Sequence, residues 1–360
     1  MRQVFIGGAG KTRRLGFGGA SPVSIQTMWK AGIADTLHDR AARTRLLANV
    51  EALGALGCDA VRFAVPDAPS ADALAQLAAE TPMPLIADIH FNYRLALRCL
   101  EGNVAKIRVN PGTIGSRERV KAVVERCRDK GAAIRIGVNA GSFPADITAR
   151  VESGALSRAE GLSETALREL AVLDELGFDQ TVVSLKASST AETVAANEVF
   201  AARSDAPLHI GVTEAGPLIG GIVKSTVALV KLLERGIGAT VRVSLSSSPE
   251  NEVIAAREIL RETGKRQGGV QIVSCPRCGR NGFDVHAFVS RWQTELLSLD
   301  KDITVAVMGC AVNGPGEGRH ADIGVAGSGK QAVIFKRGEV VRRVPADGAD
   351  AAFREELETL

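Results

Sequence analysis

Three cysteines near the C-terminus carry the densest chemical signal in the chain. Cys275-Pro-Arg-Cys278 is a C-x2-C knuckle, and Cys310 follows in Met308-Gly-Cys-Ala-Val-Asn-Gly-Pro-Gly-Glu317. A knuckle with a third thiol in a Gly-rich loop is a metal-site pattern. Three thiolates leave one ligand place open. Zinc would take His286 or His320 to complete a Cys3His site, the plainer reading being a structural zinc ribbon. An iron–sulfur cluster would take a carboxylate such as Glu317, or keep one iron open to substrate. The spacing decides for neither metal. Cys58 precedes a strand-like run, and Cys99 and Cys127 sit in helical patterns; all three read as buried, inert thiols.

The second signal is basic. Short apolar runs end in Arg62, in Asp88 and His90, in Lys106, Arg108 and Asn110, in Arg135 and Asn139, in Lys186, in Thr213 and Glu214, and in Arg242 and Ser244. In Lys106-Ile-Arg108-Val-Asn110 and Arg135-Ile-Gly-Val-Asn139 the polar residues alternate with apolar ones, so one set shares a face of the strand. Arg inside a buried strand is costly unless it is paired or used. The bland alternative is an ion-pair network inside the fold. Few acids accompany the cations, so the pattern points to an anionic ligand, and the guanidinium fork matches phosphate. The turn Ala215-Gly-Pro-Leu-Ile-Gly-Gly221 opens a helix with Lys224 in its first turn, where free amides suit a phosphate.

These residues need a scaffold that brings strand ends together. Eight apolar runs precede residue 250: Val23–Met28, Ala60–Val65, Pro84–His90, Ala105–Asn110, Ala133–Asn139, Thr181–Lys186, Leu208–Glu214 and Thr240–Ser246. Helical patterns such as Arg43–Leu56 and Ser116–Lys130 lie between them. Strand–helix alternation with this count and length predicts an α/β fold, an N-terminal (β/α)8 TIM barrel with its chemistry at the C-terminal strand ends. A doubly wound sheet is the rival, but no Gly-x-Gly-x-x-Gly turn follows the first strand. The polar stretch Arg261–Gly269 reads as a linker. It divides a barrel over 1–264 from a small α+β domain over 265–360, with elements near Val270–Cys278, Asp284–Leu297, Ile303–Met308 and Ala332–Phe335.

Composition excludes several classes. The 360 residues carry 44 basic and 41 acidic side chains, so the chain is not a polyelectrolyte binder. Aromatics are 4%, too few for a nucleic-acid stacking platform. No apolar run is long enough to span a membrane, and the Gly-rich N-terminus lacks a secretory core. The expectation is a cytoplasmic protein without membrane or nucleic-acid partners, whose cysteines serve metal or core rather than disulfides. Gly7-Gly-Ala-Gly-Lys-Thr12 mimics the end of a P-loop, but Phe5 stands where the first Gly is required, so it is not read as a nucleotide site.

Taken in order, the motifs resemble the family of 4-hydroxy-3-methylbut-2-enyl diphosphate synthases, nearly end to end. Pro22-Val-Ser-Ile-Gln-Thr-Met28, Lys106-Ile-Arg-Val-Asn-Pro-Gly112, Arg135-Ile-Gly-Val-Asn-Ala-Gly-Ser142, Leu208-His-Ile-Gly-Val-Thr-Glu-Ala-Gly216, Arg242-Val-Ser-Leu245, the cysteine knuckle and Gly309–Glu317 carry the likeness. The lack of a long insert resembles the two-domain bacterial form. The resemblance implies a 4Fe–4S cluster held by Cys275, Cys278, Cys310 and Glu317. It implies that 2-C-methyl-D-erythritol 2,4-cyclodiphosphate binds at Arg62, His90, Arg108, Asn110, Arg135, Asn139, Lys186, Thr213, Arg242 and Ser244, with Glu214 as proton donor. It also implies flavodoxin or ferredoxin as electron donor and a head-to-tail homodimer with shared active sites. One departure stands out: the family usually has Thr-Asn-Thr after the residue matching Met28, whereas Trp29-Lys-Ala-Gly-Ile-Ala-Asp-Thr36 follows here. Lys30 is a candidate phosphate contact in that loop. The competing readings are a zinc-ribbon-bearing barrel hydrolase of a phosphate ester and a non-catalytic phosphate-ligand sensor.

Overall fold

The computed structural model describes all residues except 140, 142, 277–281, 311–313 and 329. Runs rich in Val and Ile become strands because β-branched side chains pack well on a pleated surface covered on both faces. In chain order the strands are β1 (Val4–Ile6), β2 (Leu15–Phe17), β3 (Ser24–Met28), β4 (Ala60–Ala64), β5 (Leu85–Asp88), β6 (Lys106–Arg108), β7 (Ala133–Asn139), β8 (Thr181–Lys186), β9 (His209–Ile210), β10 (Thr240–Val241), β11 (Gln271–Ser274), β12 (Thr304–Met308), β13 (Ile323–Ser328), β14 (Gln331–Lys336) and β15 (Glu339–Pro345). The chain divides into two compact units, Met1–Arg266 and Gln267–Leu360.

In the first unit, β3 to β10 form one sheet ordered β8-β7-β6-β5-β4-β3-β10-β9, with parallel ladders throughout. A parallel bridge between Val183 and Leu208 joins the two ends into the expected barrel. The seventh and eighth ladders are shorter than the apolar runs suggested. Only His209–Ile210 and Thr240–Val241 are strand, and the rest of each run forms the barrel mouth. Helices follow the strands, and their starts are written in the sequence. Asp39, Asp67, Ser189 and Ser248 accept backbone N–H groups at N-caps, and Ser157 with Glu160 forms a capping box.

One element escaped the sequence reading. β1 and β2 pair antiparallel as a hairpin. Val4, Ile6 and Phe17 pack on Ala105, Ala133, Val182 and Ala239, which lie at the N-terminal starts of barrel strands. The hairpin therefore plugs the bottom of the barrel. The P-loop-like segment is the turn of this hairpin, with Gly8 N–H donating to Thr12 O at 2.9 Å.

The second unit is a five-stranded sheet in the order β11-β12-β13-β14-β15, parallel across β11, β12 and β13 and antiparallel beyond. Helices Val285–Leu297 and Ala349–Glu358 supply Phe288, Trp292 and Phe353 to its main core, where Trp292 and Phe353 meet edge to face at 5.0 Å. Strands β13 and β15 and the terminal helix were not foreseen. Among the described residues, no helix is long and apolar enough to cross a membrane.

Candidate active site

Parallel strands in a closed barrel deliver all their C-terminal ends to one rim. Arg62, His90, Arg108, Arg135, Asn139, Lys186, Thr213, Arg242 and Ser244 line a single cavity there, together with Asp88, Gly137 and Ser184. The first nine were singled out from sequence. Larger clefts lie elsewhere, including one of about 350 Å³ beside Met1 and Arg235. That cleft gathers no set of cations, so charge convergence and not volume marks the site.

Asp88, itself buried, anchors one side of the cavity. Its carboxylate lies 3.6 Å from Arg62 Nε, 3.4 Å from Arg108 Nη1 and 3.9 Å from His90 Nε2. Arg108 also meets His90 Nδ1 at 2.9 Å and donates to Gly137 O at 3.1 Å. Burial works to raise the Asp88 carboxyl, but Arg62, Arg108, Arg135 and His90 outweigh it and hold it below its ordinary value. A second anchor is Glu252, in the first turn of helix Pro249–Glu262 and 1% exposed. It accepts from Arg242 Nε and Nη2, both at 3.2 Å, and from Leu245 N–H at 3.0 Å.

Arg135 and Lys186, which also line the cavity, are 2% and 7% exposed. Among the described residues, neither has a carboxylate within ion-pair distance. Burial pushes both far below their ordinary values, and neighbouring cations add to the effect: Arg62 and Arg108 first for Arg135, Arg135 and Arg242 first for Lys186. Burial also pulls Arg62 down to about 10, with Asp88 pulling the other way. Like-charged groups under such stress would gain from a nearby anion.

Three residues sit differently from the simplest expectation. The Asn110 side chain donates to Gly137 O and accepts from Gly137 N–H, both at 2.8 Å, so its amide continues the backbone ladder at the rim. Glu214, beside Thr213, is exposed and adopts φ 51°, a left-handed conformation that costs a non-Gly residue about 1 kcal/mol or more. Lys30 spends its ammonium on Glu252, at 2.5 Å, and on Leu245 O, at 3.2 Å. It is therefore an ion-pair partner of Glu252 and not the free phosphate contact expected. Deeper in the barrel, Lys106 is fully buried with its ammonium 4.3 Å from the Phe17 ring centroid.

Sequence reasoning named Asp88 at a strand end without giving it a role, although an acid among so many cations was the available signal. It missed Gly137, where an added Cβ would lie 2.6 Å from Arg108 Nε, so only Gly lets that guanidinium lie flat against the strand. It missed Glu252 for a different reason. Acids in a helix's first turn are ordinary, and nothing local shows that this one faces inward.

In the second unit, β11 and β12 are parallel neighbours, and Cys275 and Cys310 follow them. Cys275 N–H donates to Val307 O at 2.9 Å, while Cys310 O accepts from Gly314 N–H at 2.9 Å. Gly314 begins the short helix Gly314–Glu317. A Cβ on Gly314 would fall 2.7 Å from that of Ala326, so glycine lets this helix sit on the sheet. Both cysteines are half-buried and free of disulfides, and Glu317 is exposed. Cys278 lies outside the described residues. Among the described residues, no three His, Cys, Asp or Glu side chains converge as metal ligands. The donor chemistry, thiols at adjacent strand ends with a carboxylate one short helix away, fits an iron–sulfur cluster. The other three cysteines are core: burial pushes Cys58 and Cys99 up to about 12 and raises Cys127 as well.

The match to known families follows this division. Residues 9–257 match the GcpE TIM-barrel domain, and residues 271–359 match the GcpE protein C-terminal domain. The chain belongs to the GcpE family. A relative from Treponema pallidum, named 4-hydroxy-3-methylbut-2-en-1-yl diphosphate synthase (flavodoxin), is 59% identical over 100% of this chain and 92% of its own length. Relatives of the same name are 52% identical in Treponema denticola, covering 100% of this chain and 98% of that protein, and 46% identical in Geobacter sulfurreducens, covering 94% and 93%. A solved dihydropteroate synthase from Coxiella burnetii is 12% identical over 73% of this chain and 98% of that one, with TM-score 0.46, too distant to bear on function.

Proposed function

We infer that the chain carries out the reaction of its curated relatives, the reductive ring opening and dehydroxylation of 2-C-methyl-D-erythritol 2,4-cyclodiphosphate to 4-hydroxy-3-methylbut-2-enyl diphosphate. It is an oxidoreductase of isoprenoid biosynthesis. The observation that carries the reading is the cavity of Arg62, Arg108, Arg135, Lys186 and Arg242, where Arg135 and Lys186 have no carboxylate partner among the described residues. A doubly phosphorylated ligand is the natural complement of such a wall.

In this reading residues 1–264 bind substrate and residues 265–360 carry the cofactor. Arg108, Arg135, Lys186 and Arg242 clamp the phosphates, and Arg62, His90, Asn110, Asn139, Thr213 and Ser244 complete the contacts. Clamping both ends of the ligand fixes its carbon skeleton and lowers the entropic part of the barrier. Glu214, on its strained turn above Thr213, holds the proton that the departing oxygen needs. A 4Fe–4S cluster held by Cys275, Cys278, Cys310 and Glu317 would relay two electrons from the donor, one at a time, at low potential. Glu317 would be the hard oxygen donor of that set and so the weakest ligand to iron. Flavodoxin, the donor in the relatives' printed name, delivers the electrons. The protein is cytoplasmic and works as a head-to-tail homodimer with shared active sites.

Two experiments test this. Anaerobically purified protein should be brown, with broad visible absorption and about four irons per chain. A colourless protein with one tightly bound zinc would overturn the redox reading and favour a barrel hydrolase. For the dimer, inactive Arg135→Met and Cys275→Ser proteins are mixed. Recovered activity supports sites shared between subunits, and none contradicts it.

A further inference from the structure

The strongest unassigned feature is the buried carboxylate of Glu252. Besides Arg242 and the Leu245 amide, it accepts from Thr27 Oγ1 at 2.7 Å and from Lys30 Nζ at 2.5 Å. Its partners come from β3, from the loop after β3 and from the segment after β10, which lie side by side where the first and last barrel strands pair. Only Arg242 among them lines the cavity. A carboxylate at 1% exposure that holds one guanidinium by two hydrogen bonds fixes the direction in which that guanidinium faces. The second cation changes the charge balance. One carboxylate shared by Lys30 and Arg242 leaves about one positive charge over, and the part of it on Arg242 faces the ligand.

We propose that Glu252 is a positioning residue for the anion site, aiming Arg242 into the cavity, and that Lys30 sets how much of Arg242's charge is left for the ligand. This rests on the reading of the cavity as the substrate site. It gives the Trp29–Thr36 loop a role without any contact to substrate: the loop tunes affinity through a carboxylate shared behind the cavity wall. The two residues then leave different signatures. Losing the Glu252 charge frees Arg242 to turn, so substrate still binds a more positive cavity but is held in the wrong pose. Losing Lys30 leaves the geometry intact and gives Glu252 wholly to Arg242, so the anion is held more weakly.

The test is steady-state kinetics of the holoenzyme with the cyclodiphosphate under anaerobic conditions, comparing wild type with Glu252→Gln, Glu252→Asp, Lys30→Met and Arg242→Met. Glu252→Gln should lower kcat at least tenfold with KM changed less than threefold, and Glu252→Asp should restore part of the loss. Lys30→Met should raise KM three- to tenfold with kcat within twofold. If Arg242→Met leaves KM unchanged, the cavity is not the anion site and the functional reading itself fails. If Arg242→Met raises KM while Lys30→Met leaves KM unchanged, the shared-carboxylate proposal is overturned and the functional reading stands. Lys30 is exposed at the loop, so its variant decides the matter even if Glu252→Gln does not fold.

Discussion

Replacing Asp88 by Asn tests the electrostatic picture of the cavity most sharply. The carboxylate lies 3.6 Å from Arg62 and 3.4 Å from Arg108. At an effective dielectric of ~20, each attraction is about 5 kcal/mol before desolvation is counted. Measured losses on breaking a buried pair are about 3–5 kcal/mol, because the surviving charge is left uncompensated. Here two guanidinium groups are left facing each other. The ligand-free variant should therefore lose about 3 kcal/mol, or roughly 6–10 °C in the barrel's melting transition. Substrate changes the sign of the argument. A phosphate replaces the missing carboxylate, so saturating cyclodiphosphate should raise the variant's Tm by more than it raises wild type's. The pH dependence is also fixed. Asp88's carboxyl sits below its ordinary value of 3.8, because the surrounding cations outweigh the opposing effect of burial. A group lowered in the folded state contributes its stability above the unfolded value and loses it as pH falls through the folded one. The gap between wild type and Asp88→Asn should be full near pH 7 and close progressively below about pH 3.8. Scanning calorimetry with and without ligand measures each part. A ligand-free variant that melts within 2 °C of wild type would refute the reasoning.

Three further outcomes are expected. Glu214→Gly should be slightly more stable than wild type, by about 1 kcal/mol, as the φ 51° strain is relieved, yet turn over far more slowly; an active variant would remove Glu214 from the mechanism. Gly137→Ala should displace the Arg108 guanidinium and raise KM about tenfold in steady-state assays, with little change in circular dichroism. Cys275→Ser should lose most bound iron while Glu317→Ala keeps much of it and loses most turnover, both read by iron analysis beside the activity assay.

The barrel was legible because its strands announce themselves twice. Val and Ile runs mark the sheet, and Arg or Lys inside such runs, as at Arg108 and Arg135, is too costly to be incidental. The cations of the mouth could be read residue by residue for the same reason. The N-terminal hairpin could not. Strands of three residues are too short to show a period, and the glycines of its turn imitate a phosphate loop. Glu252 and Lys30 stayed hidden because their pairing depends on a register 222 residues apart in the chain. Asn110 reads as a ligand contact from its place at a strand end, but nothing in the sequence shows that its amide also pairs with the backbone of Gly137, 27 residues on.

The most direct test of the central claim is product analysis. Holoenzyme, reduced flavodoxin and 2-C-methyl-D-erythritol 2,4-cyclodiphosphate are incubated without oxygen, and the products are identified by mass spectrometry. The account predicts 4-hydroxy-3-methylbut-2-enyl diphosphate, formed with consumption of two electrons per molecule and abolished by Arg135→Met. Hydrolysis of the cyclodiphosphate without consumption of reductant, or binding with no turnover, would contradict it.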